Sequence, residues 1–453
     1  MKKIVALLVG LALTVGALSV FAGCGSSNEL TVLMNRTDFQ NNVFEDAKEQ
    51  FEAEFAEQGW TVEFENVSDY EGTTTTRMGG GAYGDVLLIP NSLTVDELSA
   101  YFKPLGTVEE LEKTYRYVAG KSYEGTVYGL PTYGSVAGIL YNKAIFEQAK
   151  VDAATLVTPE AFLSAMSTIK SWYASQGMNG VAYYTNFAAE WPLNQWTDAI
   201  SAAAGNANYL SDVMPWTENA FAEGNPAYDV FKLLYDIVDL GYSETSPTAT
   251  KWEQSKLQFV NGEIATMVLG SWAIEQFKEV AGGTLPSGVT GAIEGNVEDI
   301  GYMPFPFTAE DGERYAVSAS DYMIGIAANT KNEEGARAFV DWFLNDFRYY
   351  EKCGGIPPQV TGEYPEEIKS FETSGVTLLE ADVAVYETAQ SVCEIESGTT
   401  MWSADWKKPF VEEAIKNGGK SFADLIAELN ENWNEGVAAV KEEISATAPS
   451  KQS

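Results

Sequence analysis

The sequence contains no histidine in its 453 residues. That absence excludes Ser-His-Asp and Cys-His nucleophilic catalysis, and any His-ligated zinc or iron centre. Basic residues are scarce: 28 Lys and Arg stand against 65 Asp and Glu, a formal charge of −37. Nothing could neutralise a row of phosphates, so nucleic acid is excluded as a partner. Only three cysteines occur. With no CxxC pair or Cys-rich cluster, a metal–thiolate site is excluded as well. No Gly-rich loop runs into GK[ST], and no DxDxDG calcium loop is present. Gly79 to Gly84 fits GxGxxG, but it precedes an apolar strand instead of following one, the wrong order for a dinucleotide fingerprint. The sequence therefore requires no metal and no cofactor. What remains is a neutral or cationic ligand, carboxylate chemistry, or no chemistry at all. An apolar fraction of 45% supports a large core and excludes global disorder. At roughly 150 residues per domain, two or three domains are expected.

The N-terminus addresses the chain. Met1-Lys2-Lys3 is a short positive start, and Ile4 to Phe21 is apolar and uncharged, the pattern of a secretory signal. A transmembrane anchor is the competing reading, since the run is near the ~18-residue threshold. Its ending decides. Phe21-Ala22-Gly23-Cys24 followed by Gly25-Ser26-Ser27-Asn28 resembles a bacterial lipoprotein signal, with Phe21 where Leu is usual. The resemblance implies a signal peptide over 1–23, lipidation of Cys24, and a short linker over 24–28. Two acyl chains suffice for stable anchoring of an outward-facing body at the cell surface. Outside the cytoplasm Cys353 and Cys393 either pair or stand as isolated buried thiols. From Thr447 the chain is small and polar, a flexible tail over 447–453.

Along the mature chain no later run is long and apolar enough to span a membrane, and no repeat recurs at solenoid spacing. Leu30–Met34, Thr61–Phe64 and Val86–Ile89 read as strands. Between them Phe44, Ala47, Phe51 and Phe55 share a helical face. This alternation predicts an α/β lobe with a largely parallel sheet. Val136–Tyr141 is a further strand. Thr158-Pro159-Glu160 opens a helix with a cap, an N1 proline and an acid. Helices come next around 228–240 and 252–260, and strands at 264–269, 300–303 and 323–327. Asn332 caps a helix whose Ala336, Phe339, Val340 and Phe343 face inward.

Carboxylates such as Glu190, Asp198, Asp212, Asp321 and Asp405 are too plentiful to single out a hydrolytic pair. The 11 tryptophans are more informative. Trp191, Trp196, Trp272, Trp402 and Trp406 stand in turn-rich, polar contexts instead of helical stripes. A flat indole covers the C–H face of a sugar while nearby polar groups bond its hydroxyls.

Four segments carry a resemblance. They are Tyr128-Gly129-Leu130-Pro131 leading to Leu140-Tyr141-Asn142-Lys143; Phe259 to Met267 leading to Gly270-Ser271-Trp272; Ile300-Gly301-Tyr302-Met303-Pro304; and Gly325 to Thr330 before the Glu333 helix. In this order they are similar to the carbohydrate-type extracellular solute-binding proteins of ABC transporters, the group that includes the maltose-binding protein. The resemblance implies an α/β, two-lobed periplasmic-binding-protein-like fold, with a hinge and a ligand cleft between the lobes. Crossings are expected near 130–134, 303–307 and 354–358. The first lobe then spans 29–131 plus 306–353, the second 132–305 plus 354–446. The implied ligand contacts are Asn35, Arg36, Asp85, Asn91, Tyr133, Ser135, Trp191, Trp196, Trp272, Ser320, Asp321, Tyr322, Trp402 and Trp406. Among these Asp85 also reads as a support of its sheet, Trp191 also reads as packing, and the late stacking aromatic is either Trp402 or Trp406. The implied activity is delivery of a sugar, a di- or oligosaccharide, to an ABC importer by hinge closure, with no catalytic residue. The implied partners are the carbohydrate, the permease subunits and the membrane through Cys24, with the protein itself a monomer. A polyamine or peptide binder on the same fold, or an anchored glycoside hydrolase, are the alternatives. The surplus acidity reads as a solubility feature of a tethered body.

Overall fold

The computed structural model describes residues 28–67, 69–415 and 419–444. The expected signal peptide, Cys24 and the expected tail from 447 lie outside the described residues.

The chain builds two large sheets, crosses between them, and adds a small three-stranded sheet of Gly106–Thr107, Ser122–Tyr123 and Thr126–Val127. β1 (Glu29–Met34), β2 (Thr61–Asn66), β3 (Val86–Leu88) and β4 (Gly129–Pro131) belong to the first. The chain then passes to β5 (Gly134–Asn142), β6 (Val181–Tyr183), β7 (Ile264–Gly270), β8 (Ile300–Met303) and β9 (Arg314–Ser320) of the second. It returns for β10 (Met323–Ile326) in the first sheet and leaves again for β11 (Val376–Glu380) in the second. In the first sheet β2, β1 and β3 run parallel, as the strand–helix alternation predicts. β10 lies antiparallel between β3 and β4. In the second sheet β5 instead pairs antiparallel with β7, β8 and β9. Its strands are joined through the interlobe crossings and long helical excursions, so right-handed βαβ units do not impose a common direction.

The strand at 314–320 corrects the expected lobe boundary. Ser318 pairs with Val136 and Ala319 with Ser135, while Arg314 to Ser318 pair with Val376 to Glu380. Residues 306–320 therefore belong with the second sheet. The second crossing lies at Ser320–Met323, not near 303–307. The third runs by Ile356, which exchanges two backbone hydrogen bonds of 2.8 Å with Gly134.

Three apolar cores result. The first lobe packs Val32, Leu87 and Ile324 against Phe51, Phe339 and Phe343. β5 is buried on both faces of its sheet, and its alternation divides the second lobe. Ala137 and Ile139 face one core, Val136 and Leu140 the other. The Thr158 hydroxyl accepts from the Ala161 N–H with Pro159 at the helix start, and Asn332 caps Gly335, as the sequence implies. A C-terminal helix, Phe422–Glu443, buries Leu425, Leu429, Trp433, Val437 and Val440 along one stripe. Cys353 lies in the first-lobe core and Cys393 in a second-lobe core, and no disulfide joins them.

Phe343 is fully buried, with ring neighbours Phe339 at 5.2 Å, Phe347 at 5.6 Å and Tyr349 at 4.6 Å. Phe343→Ala is expected to destabilise the protein by about 3–5 kcal/mol, read as a lowered midpoint in urea. A loss below about 1 kcal/mol would mean that this ring does not support the core.

Candidate functional site

Strand register decides which residues meet. β1 and β3 are parallel, and β10 opposes β3 so that Ile324 faces Leu88. One edge of the first sheet therefore collects the residues just after β1, β3 and β4 and those just before β10. They are Asn35 and Arg36, the loop Pro90-Asn91-Ser92, Tyr133, and Asp321-Tyr322. The facing edge of the second sheet carries Ser135 at the start of β5, Ser271-Trp272 after β7, and Ser320 at the end of β9. Crevices at such strand ends are where α/β folds bind ligands.

The crossings form the floor. The Tyr133 phenol donates to the Asp321 carboxylate at 2.6 Å, and the Asp321 N–H donates to the Tyr133 carbonyl at 3.1 Å. The Thr132 hydroxyl donates to the Tyr322 carbonyl at 2.7 Å. Burial pushes the Asp321 carboxyl up, while the Tyr133 phenol and the Arg36 charge pull it down. Arg36 lies 3.7 Å over the Phe39 ring and reaches the Cys353 Sγ at 3.8 Å.

The first-lobe lip is pinned by Glu71. Its carboxylate accepts the Asn91 N–H at 3.0 Å, the Ser92 N–H at 3.2 Å and the Tyr322 hydroxyl at 2.7 Å. The buried Lys121 ammonium holds the same loop from behind, through the carbonyls of Pro90 at 3.0 Å and Leu93 at 3.1 Å. Its desolvation brings its pKa down to about 8, against the opposing pull of Glu71 and Glu97.

The second-lobe wall is aromatic. Trp272 lies 5.5 Å from Trp191 and 6.1 Å from Trp252, and it also packs against the first-lobe core. Gly270 permits this pose. A Cβ there would collide with the Trp272 indole and stand 3.0 Å from the Ser135 hydroxyl. Ser135 and Ser271 approach to 3.3 Å. Asp198, on the helix Trp196–Ala204, is half-buried, and its carboxyl lies close enough to Lys407, Asp321 and Tyr302 to interact with each. Desolvation pushes that carboxyl up to about 7, with Lys407 pulling it down and Asp321 pushing it up. The Lys407 ammonium is fully buried on Asn194 Oδ1 at 3.0 Å and on the carbonyls of Met401 at 2.5 Å and Ser403 at 3.0 Å. It thereby shapes the turn that leaves Trp402 38% exposed.

Three expected contacts have other roles. Asp85 lies at the opposite edge of the first sheet, where its oxygens accept the Thr31 N–H at 3.0 Å and the Thr330 hydroxyl at 2.6 Å. Trp196 is 1% exposed and gives its indole N–H to the Tyr183 hydroxyl at 3.2 Å, inside the core. Trp406 turns inward against Phe231 at 4.8 Å, with its N–H on the Thr400 carbonyl. Of the two late aromatics, only Trp402 remains presented. Glu71, Ser271, Trp252 and Asp198 stand at the site without being among the contacts that the sequence implies. For Asp198 no local signal exists, since depth alone separates it from the other acids. A groove of about 960 Å³ lined by Lys170, Tyr173, Tyr242 and Glu244 lies elsewhere on the second lobe and includes none of the expected contacts.

Polar contacts tie the lobes together. The Tyr117 and Ser318 hydroxyls meet at 2.6 Å, and Arg116 pairs with Glu380 at 2.9 Å. At the tip of a first-lobe hairpin, the Glu124 N–H donates to both oxygens of Glu387, at 3.2 and 3.1 Å.

The family described as bacterial extracellular solute-binding protein matches residues 40–346. A multiple sugar-binding protein of Streptococcus mutans is 23% identical over 319 residues, 66% of this chain and 68% of its own. The binding protein of an ABC transporter from Bifidobacterium animalis subsp. lactis, solved with mannobiose, is 31% identical. It superposes with a TM-score of 0.81 over 90% of this chain and 94% of its own. A manno-oligosaccharide specific solute binding protein from the same organism, solved with mannotriose, is 29% identical, with a TM-score of 0.80 over 91% and 96%.

The site predicts a stability effect. The Asp198 carboxyl is raised from 3.8 to about 7, so between these values the folded protein holds more protons than the unfolded chain. Its favourable contribution is complete below pH 3.8 and is lost as pH rises through about 7. Asp198→Asn is expected to gain about 1 kcal/mol or more over wild type at pH 8, with the gain shrinking towards pH 5. Paired melting curves across that range check it. A gain independent of pH, or a loss at pH 8, would contradict the raised carboxyl.

Proposed function

Because this chain belongs to the bacterial extracellular solute-binding protein family, we propose that it captures a manno-oligosaccharide of two or three units between its lobes and presents it to an ABC importer. One observation carries the reading to this site. The facing sheet edges bring the Trp272–Trp191 pair together with hydroxyls from Ser135 and Ser271 and the carboxylates of Asp198 and Asp321. An indole face with surrounding acceptors and donors suits a neutral, hydroxyl-rich ring.

In this mechanism Trp272 and Trp402 are the stacking platforms of the second lobe. Asn35, Arg36, Asn91 and Tyr322 are the contacts of the first. A ligand touching both lobes favours the closed arrangement, and the permease reads that arrangement. No covalent step is involved. The lipid at Cys24 keeps the body at the cell surface. The carboxylates at the cleft floor also favour a second reading, in which a polyamine is the ligand.

Thermal shift separates the two. Mannobiose or mannotriose at 100 times its Kd is expected to add about 2.7 kcal/mol to stability. A shift with spermidine and none with any saccharide would overturn the sugar reading. Trp272→Ala is expected to weaken saccharide binding by roughly 1–3 kcal/mol by calorimetry. An unchanged Kd in the folded variant would return Trp272 to packing alone.

A further inference from the structure

The hydrogen-bond supply around Asp198 does not close. Its neighbours in sequence are occupied: Trp196 and Ala199 are buried in the core, and the Thr197 hydroxyl donates to the Met401 carbonyl at 2.8 Å. The nearest cation is saturated. Lys407 has three protons and three acceptors, in Asn194, Met401 and Ser403. The Tyr302 phenol, also close enough to feel the Asp198 charge, has one proton and lies at 2.6 Å from the Val136 carbonyl and 2.8 Å from that of Leu269. The Tyr133 phenol is committed to Asp321. No described residue donates a hydrogen bond to the Asp198 carboxylate or forms an ion pair with it. Its two oxygens, with about four acceptor positions, thus meet no donor from the described residues. Holding an ionised carboxyl there is unfavourable for the fold. The chain nevertheless keeps one on a helix whose adjoining positions are core.

Resting on the sugar reading above, we propose that Asp198 is a specificity-determining acceptor, taking hydrogen bonds from two adjacent hydroxyls of the bound saccharide. The bonds are stronger to the ionised carboxyl, so capture favours its deprotonation. The charged and titratable groups facing it are Lys407 from the C-terminal segment, Asp321 from the second crossing and Tyr302 from β8. Behind these stand Glu394, which acts on Lys407, and Arg36, which acts on Asp321. Donation from hydroxyls favours the charged form. Affinity is therefore level where the carboxyl is already ionised, and it falls as pH drops through the range where the free protein takes up the proton.

The experiment is calorimetry of the full chain with mannobiose at pH 8 and pH 6. At pH 7 it is repeated in two buffers of different ionisation enthalpy. Wild type is expected to bind up to about tenfold more weakly at pH 6 than at pH 8, and to release a fraction of a proton on binding at pH 7. Asp198→Asn is expected to bind roughly tenfold more weakly at pH 8, with a flatter pH profile and no proton release, while melting no lower than wild type. Asp198→Glu keeps the charge and shifts its position, and is expected to retain the proton release with reduced affinity. Wild type binding mannobiose while Asp198→Asn matches its affinity and proton release would overturn the role of Asp198 and leave the sugar reading standing. Binding of neither mannobiose nor mannotriose by wild type would overturn both.

Discussion

The two lobes depend on one hydrogen-bonded ribbon. Thr132 and Tyr133 bond to Tyr322 and Asp321 across two crossings, and Gly134 exchanges bonds with Ile356 of the third. Each crossing runs directly into strands, with β4 leading to β5 and β9 leading to β10. The ribbon is thus the shared margin of both sheets, and the lobes cannot separate without breaking backbone bonds that have no other partners. Relative motion is confined to bending about this line. The candidate site sits on it, so a contact made at the floor acts at the pivot, where a small displacement corresponds to a large one at the rim.

The electrostatic character of the cleft comes from depth. A chain without histidine has no side chain with an ordinary pKa near neutrality. Burial supplies that range instead. It moves the carboxyls of Asp198 and Glu244 up to about 7 and the ammonium of Lys407 down to about 7. Glu244 is held by the Thr185 N–H and hydroxyl, so its displacement belongs to the fold of the second lobe. Lys407 is likewise consumed by the turn it organises. Of these three groups only Asp198 has oxygens that no described residue bonds, and that, more than acidity, marks it.

Much of this architecture was legible in the sequence. Leu30–Met34, the Phe44-Ala47-Phe51 stripe, the Thr158-Pro159 start and the Asn332 cap are local signals, and each stands where its pattern implies. The cleft edge was legible because Asn35, Tyr133 and Tyr322 adjoin such strands. The strand Arg314–Ser320 was not. Its partners Val136 and Val376 are far away in sequence, and the crossing that the resemblance implies near 303–307 does not occur there. The tryptophans show the same limit. Trp191, Trp196 and Trp406 share a polar, turn-rich context, and only packing from distant segments decides which ring is buried. Asp198 lies beyond sequence reasoning for the same cause, since its significance is the absence of a donor in three dimensions.

The Glu124–Glu387 contact has a separate consequence. It joins the lobes through a backbone N–H and a carboxylate that belong neither to the crossings nor to the tryptophan wall. In a protein that closes about its hinge, such a contact would bias the open–closed balance without touching a ligand. A change in that balance multiplies the apparent affinity for every ligand by one common factor. Discrimination between sugars would be written at the cleft floor, while overall tightness would be written at the rim. Drift at Glu387 would then tune a strain to scarce or abundant food without altering its diet, visible as two sugar affinities that move together at a fixed ratio.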